Sequence, residues 1–141
     1  MDKKKNVLLT GATGVMGSAG LKELAKILDK VNIILLVRPS KTNKKKMAPY
    51  MAMPGVRIVW GDLVSYDDVC KAVADADIVL HVGGMVSPRA DHYPRQTLHV
   101  NVTAAENIVR AVKARPDADA VRVVYIGSVA QTGHRCPPIH W

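Results

Sequence analysis

The sequence predicts an α/β fold, a doubly wound parallel sheet. Three observations carry that prediction. Five short runs are continuously apolar, at residues 7–9, 31–37, 56–60, 78–82 and 121–126. Strands covered on both faces read this way, whereas strands with one wet face alternate. Segments with helical spacing of apolar residues separate most of these runs, so successive strands are joined by crossovers, which are right-handed. Between the first run and the first helical segment lies a glycine-rich turn, Thr10-Gly11-Ala12-Thr13-Gly14-Val15-Met16-Gly17.

The first strand, Val7-Leu8-Leu9, feeds that turn, and residues 18–28 follow with helical spacing. Strand, glycine turn and helix in this order are the context in which a glycine triplet counts as a dinucleotide fingerprint. Gly11 permits the tight turn, Gly14 lets backbone approach a pyrophosphate, and Gly17 lets the helix pack close to the sheet. The amides of Thr13, Gly14, Val15 and Met16 open the helix, where the macrodipole places about half a positive charge, and are the predicted phosphate ligands.

The second strand runs out into Val37-Arg38-Pro39, and the Pro-, Lys- and Met-rich stretch 39–55 predicts only a short helix. After the third strand come Gly61-Asp62-Leu63 and then Ser65-Tyr66-Asp67-Asp68, a capping box that opens a helix over 67–74. The fourth strand ends in His81-Val82-Gly83-Gly84. His81, set in an apolar strand, is predicted to be a core residue. The loop 85–93 lies beside the substrate region, with His92 and Tyr93 as substrate contacts or plain surface residues. A long helix over 94–115 turns Leu98, Val102, Ala105, Ile108, Val109 and Val112 toward the sheet, and Pro116-Asp117 ends it. The fifth strand closes with Tyr125-Ile126-Gly127-Ser128.

Composition narrows the function classes. A chain of 141 residues with 48% hydrophobic residues is one domain with a real core. Cys70 and Cys136 match no disulfide or metal framework and suit a reducing compartment, so the chain reads as cytoplasmic and metal-free. No stretch has the length of a membrane span or of a signal-peptide core. The net charge of +8 raises nucleic acid as a partner. Its excess lies in two clusters, residues 3–5 and 41–46, with no aromatic residues interleaved as a stacking platform requires. A small anionic ligand accounts for it better.

Cofactor choice is written at the end of the second strand. An acidic residue about 20 positions past the fingerprint binds the adenosine ribose hydroxyl and favours NAD. Here the position holds Arg38, followed by Lys41, Lys44, Lys45 and Lys46. A planar, permanently charged guanidinium suits a ribose 2′-phosphate, which favours NADP over NAD; a solvated turn is the alternative.

With its glycines spaced Gly-x-x-Gly-x-x-Gly behind Thr10, the chain resembles the short-chain dehydrogenase/reductase superfamily, specifically the extended branch of NAD(P)-dependent epimerases, dehydratases and reductases. The resemblance implies a Rossmann-like sheet of strand order 3-2-1-4-5. It implies that Asp62 accepts from the adenine amino group while the Leu63 amide donates to the ring. Val82, Gly83 and Gly84 pass against the ribose and phosphates, where the family often has two alanines. Asn101, opening Asn101-Val102-Thr103-Ala104-Ala105-Glu106-Asn107, is similar to a family asparagine that supports the active site, although Ala104-Ala105 replaces the usual Gly-Thr. A buried asparagine bonded to backbone is the competing reading. Ser128 takes the place of the serine that hydrogen-bonds the reacting carbonyl or hydroxyl, with Gly127 replacing a preceding serine.

The family's general acid/base is a Tyr-x-x-x-Lys pair. Tyr50, Tyr66, Tyr93 and Tyr125 are followed four positions on by Pro54, Cys70, Thr97 and Val129. The chain therefore reads as the front part of a family domain, residues 1–141, truncated before that pair, the later strands and the substrate-binding part. The implied function is the cofactor-binding part of an NAD(P)-dependent epimerase, dehydratase or oxidoreductase working by hydride transfer at an alcohol or ketone. A nucleotide-sensing, non-catalytic module that regulates a partner is the alternative. The implied substrate is a small molecule, a sugar nucleotide or another ketone or alcohol. The chain alone is expected to be inactive and to bind nucleotide weakly. Its fifth strand is expected to form an uncovered apolar edge that pairs with a second copy.

Overall fold

A computed structural model describes residues 3–128 of the chain. Cys136 and the rest of the stretch after Ser128 lie outside the described residues. The element order is β1 (Lys5–Thr10), α1 (Val15–Ala25), β2 (Val31–Val37), α2 (Lys41–Met51), β3 (Val56–Trp60), α3 (Tyr66–Val73), β4 (Ile78–His81), α4 (Arg89–His92), α5 (Pro94–Lys113), a 3-10 turn at Ala118–Ala120 and β5 (Arg122–Tyr125). The five strands form one parallel sheet of order β3-β2-β1-β4-β5, as the sequence predicts. Leu8 stands between Ile34 of β2 and Val79 of β4.

Alternation along the strands divides the apolar runs between two cores. Leu8, Ile34, Leu36 and Val79 join Val69 and Val73 of α3 and Ile108, Ala111 and Val112 of α5. Leu9, Ile33, Leu35 and Val37 join Leu21 of α1 and Met47 of α2. With both faces covered, β1 is buried over 7–10 and β2 over 33–37, which explains the apolar runs at 7–9 and 33–37.

Several helices depart from expectation. α1 begins at Val15, directly on the glycine turn, and its regular part ends at Ala25, before Leu28. α2 runs three turns through the lysine-rich stretch, because Ser40 caps it by accepting the Asn43 N–H at 3.0 Å and Met47 anchors it in the core. Ser65 caps α3 by accepting the Asp68 N–H at 3.4 Å. The reciprocal half of the box does not form, since the Asp68 carboxylate instead accepts the Asp62 N–H at 3.1 Å. α5 buries Ala104, Asn107, Ile108, Ala111 and Val112. Leu98, Val102 and Val109, expected to face the sheet, are exposed, Leu98 by 67%. The steps from 98 to 102 and from 105 to 109 form a second stripe on the same helix, rotated off the face that meets α3.

Among the described residues β3 and β5 are the two edge strands, and Val123, Val124, Tyr125 and Ile126 at and just past β5 are all exposed. Among the described residues, no helix is long and apolar enough to cross a membrane.

The helix rotation is testable by unfolding in denaturant. Leu35→Ala, in the core, is expected to cost about 2–5 kcal/mol. Leu98→Ala is expected to stay within about 0.5 kcal/mol, as surface changes do; a cost like that of Leu35→Ala would place Leu98 in the core instead.

Candidate functional site

The carboxyl ends of β1 and β4 meet where their chains leave the sheet. Gly11 turns with φ of +73°, and a Cβ added to it would stand 2.7 Å from Gly83 Cα and N. A Cβ on Gly83 would lie 3.1 Å from Gly11 N and 2.7 Å from the Leu63 side chain. The two backbones are therefore in contact, and side chains at either position would separate them. Thr10, fully buried, ties the crossing: its Oγ1 accepts the N–H groups of Val82 at 3.2 Å and Gly83 at 3.0 Å, and lies 2.8 Å from His81 Nδ1. His81 is a core residue, as predicted, and burial holds its pKa below the usual histidine value. Its ring also packs on Tyr125, with centroids 5.6 Å apart.

From this crossing the glycine turn opens α1. Gly14 is the N-cap residue, and no side chain caps the helix. The first turn carries no acidic residue, and Val15 and Met16 stand 94% and 60% exposed. The Gly14 N–H turns back to the Gly11 carbonyl at 3.0 Å. The N–H groups beyond it have no side-chain cap and stand with the positive end of the helix dipole beside exposed residues, an arrangement suited to an anion. The two later glycines differ. A Cβ on Gly17 would overlap the Gly11 carbonyl, so Gly17 closes the turn on its own backbone rather than serving helix–sheet contact. A Cβ on Gly14 would meet only the Gly11 carbonyl oxygen, at an ordinary 3.4 Å. Nothing in the protein's packing requires glycine there.

Around this helix terminus the other loops gather at the same end of the sheet. Arg38 is exposed just past β2, its carbonyl fixed by the Asn43 Nδ2 donor at 2.8 Å. α2 follows with Lys41, Lys44, Lys45 and Lys46 and no acid in its first turn. Lys46 Nζ donates to the Thr13 carbonyl at 2.9 Å, linking α2 to the glycine turn. Asp62 is half-buried past β3, where its Oδ1 accepts the Val64 N–H at 3.2 Å. Leu63 packs on Gly83, and its carbonyl accepts from Asn107 Nδ2 at 2.9 Å. Asn101 holds the loop beyond Gly84 at both of its polar ends: Oδ1 accepts the Met85 N–H at 2.7 Å, and Nδ2 donates to the Met85 carbonyl at 3.0 Å. The backbone-bonded reading of Asn101 describes this geometry. Ser128 is exposed beyond the carboxyl end of β5. His92 and Tyr93 are exposed on and just after α4.

Sequence reasoning noted three residues without foreseeing what they bond. Thr10, Lys46 and Asn107 all work through bonds to backbone of remote segments, which no local spacing announces.

The opposite end of the sheet carries an open depression of about 570 Å³. Its polar side chains are already engaged: Asn32 Nδ2 donates to Asn6 Oδ1, Asn6 Nδ2 to the Asp75 carbonyl, and Arg57 pairs with Asp75. Arg115 donates to the carbonyls of Val73 and Ala76 and pairs with Asp117. Open α/β sheets bind ligands at the carboxyl ends of their strands, the end where the glycine turn lies.

Known proteins agree with this architecture. The pattern of the NAD dependent epimerase/dehydratase family matches residues 7–140. UDP-glucose 4-epimerase of Rickettsia bellii (strain OSU 85-389) is 28% identical over 110 residues, 76% of this chain and 32% of its own length. UDP-N-acetylglucosamine 4,6-dehydratase (inverting) of Campylobacter jejuni is 30% identical over 112 residues, 79% of this chain and 33% of its own. The chain thus spans about a third of these relatives. Among solved structures, uronate dehydrogenase from Agrobacterium tumefaciens complexed with NAD is 26% identical, with a TM-score of 0.66 over 89% of this chain and 42% of that one. Pen from Bacillus thuringiensis is 25% identical, with a TM-score of 0.73 over 89% and 38%. On the match across nearly its whole length, set on a parallel sheet of order 3-2-1-4-5, this chain belongs to the NAD-dependent epimerase/dehydratase family.

Proposed function

We propose that residues 1–141 form the cofactor-binding part of an NAD(P)-dependent epimerase, dehydratase or oxidoreductase that acts by hydride transfer at a substrate alcohol or ketone. The observation that carries this reading is the bare, outward-facing start of α1, with open space on the Cβ side of Gly14. The residues present fit the cofactor. Amides of Thr13, Val15 and Met16 would receive the pyrophosphate, with Gly11 and Gly17 holding the turn in shape. The Gly14 amide, a predicted phosphate ligand, donates instead to the Gly11 carbonyl, so Gly14 contributes room for the ligand. The free side of the Asp62 carboxyl and the Leu63 amide would take the adenine. Val82, Gly83 and Gly84 would line the ribose and phosphates, with Asn101 fixing that loop through Met85.

A bound nicotinamide supplies the carbon that accepts or delivers hydride. Ser128 would hydrogen-bond the substrate oxygen and orient it. The relatives named as acting on UDP-sugars favour a sugar nucleotide as substrate, with another ketone or alcohol as the wider class. Because the similar proteins are enzymes, chemistry is favoured over nucleotide sensing alone. The paucity of cysteine favours the cytoplasm.

Arg38 and the lysines of α2 favour NADP over NAD, since together they surround the turn with cations and no carboxylate stands at the end of β2. Titration with NADPH and NADH, followed by cofactor fluorescence, tests both readings. NADPH is expected to bind more tightly, with the preference lost in Arg38→Ala by roughly 10–100-fold, the worth of charge-assisted hydrogen bonds. Equal affinities would refute the NADP preference. Gly14→Ala is expected to keep the far-ultraviolet spectrum and melting temperature while abolishing binding, because only a ligand would meet the new methyl group. Gly17→Ala is expected to lower stability as well. Unimpaired binding by Gly14→Ala would remove the pyrophosphate from this turn.

The exposed edge of β5 favours self-association through strand pairing. Light scattering over a concentration series is expected to show a dimer; a monomer throughout would contradict it.

A further inference from the structure

We propose that His81 is a positioning residue for the cofactor site: its neutral imidazole holds the Thr10 hydroxyl in the orientation that ties β4 to the glycine turn, and protonation of His81 releases that tie. The inference rests on the cofactor reading above for its consequence, and on hydrogen-bond counting for its cause.

A threonine hydroxyl has one proton and two lone pairs. Thr10 Oγ1 accepts from two backbone N–H groups, Val82 and Gly83, which takes both lone pairs. Its remaining contact, to His81 Nδ1 at 2.8 Å, is therefore one in which the hydroxyl donates. Nδ1 must then be unprotonated, so His81 is neutral with its proton on Nε2. Protonation would place an N–H at Nδ1 facing the same oxygen. Thr10 would then meet three N–H donors with two lone pairs, and its own proton would lose its acceptor. One of the three contacts must break, and two of them are the bonds that hold Val82 and Gly83.

Those two residues form the backbone that touches Gly11. Loosening it widens the crossing from which both the glycine turn and the Gly83–Gly84 loop start, the two segments that would grip the pyrophosphate and ribose. The surroundings of His81 do nothing to accommodate a charge. Thr10 faces it from β1 and Tyr125 from β5, the Ile126 N–H donates to its carbonyl, and burial is the sole cause of its lowered pKa. Because the native state favours the neutral ring, the unfolded chain takes up a proton first. Stability is therefore fully present above about pH 6.5 and falls as pH drops toward the native pKa of His81. His92 and His99, by contrast, are exposed.

Two measurements test the proposal. Long-range proton–nitrogen spectra of the labelled chain at pH 8 are expected to show His81 protonated at Nε2 and accepting at Nδ1. An Nδ1-protonated ring would overturn the proposal, and this readout needs no variant. Secondly, NAD+ affinity is compared between the wild-type chain and His81→Gln from pH 8 to pH 5, a comparison that cancels the ligand's own titration. The wild type is expected to lose about tenfold more affinity than His81→Gln over that range, on the scale of one buried hydrogen bond. Parallel profiles would overturn the proposal. Absence of binding by both chains at pH 8 would instead count against the cofactor reading. The ring spectrum, with exchange protection of the Gly83 amide across the same pH range, then decides whether His81 holds the crossing: protection unchanged through the titration of His81 would refute it.

Discussion

The contact between Gly11 and Gly83 is the constraint on which the rest of this molecule depends. Two parallel strands leave a sheet side by side, and their chains must diverge to opposite faces without drifting apart. Here they diverge in backbone contact, at a distance that no pair of side chains would allow. The buried Thr10 hydroxyl supplies the attraction across this gap, and the absence of Cβ atoms supplies the room. Everything chemical in the chain is measured from that point. α1 starts four residues beyond Gly11, and the Gly83–Met85 loop starts on the other side.

What emerges from the crossing is a helix start of exposed backbone, the anion site proposed above. Its strength as an anion site would come from the geometry of amides and the helix dipole, with Lys46 of α2 bonded to the turn and Arg38 at the same end of the sheet. With glycine at the N-cap, the absence of a side-chain cap on α1 is a small stability cost, about a few tenths of a kcal/mol. At this position it leaves the N–H groups available for a ligand. α3 and α2 are both capped by serine. α4 and α5 also start without a side-chain cap, so what sets α1 apart is its glycine turn and the open space beside Gly14. At the opposite end of the sheet, the polar side chains bond one another, and the depression there is part of the scaffold.

Much of this was legible in the residues themselves. The strands announced themselves because burial on both faces leaves few polar positions, and the glycine turn because its spacing follows a strand and precedes a helix. Strand order came from family resemblance, since apolar runs alone do not say which strands are neighbours. The helices were read less well, for identifiable reasons. α2 is mostly lysine and is held by one cap and one buried methionine, so its apolar pattern is faint. α5 carries two apolar stripes, and spacing alone does not say which one meets the sheet. In the site, Gly11 and His81 were read correctly from local context. The roles of Thr10, Lys46 and Asn107 were not, because each bonds the backbone of a segment that is distant in sequence. Asn101 sits between these cases: the sequence marked it, and only the fold shows that both ends of its amide hold Met85.

The claim at the centre is that nucleotide binds at the carboxyl ends of the strands, on the amides of the glycine turn. Amide chemical-shift mapping of the chain during titration with ADP, the portion shared by both cofactors, tests it most directly. The account predicts that the largest shifts fall on Gly11 to Gly17 and on Gly83 and Gly84, with Asn6, Asn32 and Arg57 unmoved. Shifts centred on those last three residues, at the far end of the sheet, would contradict it.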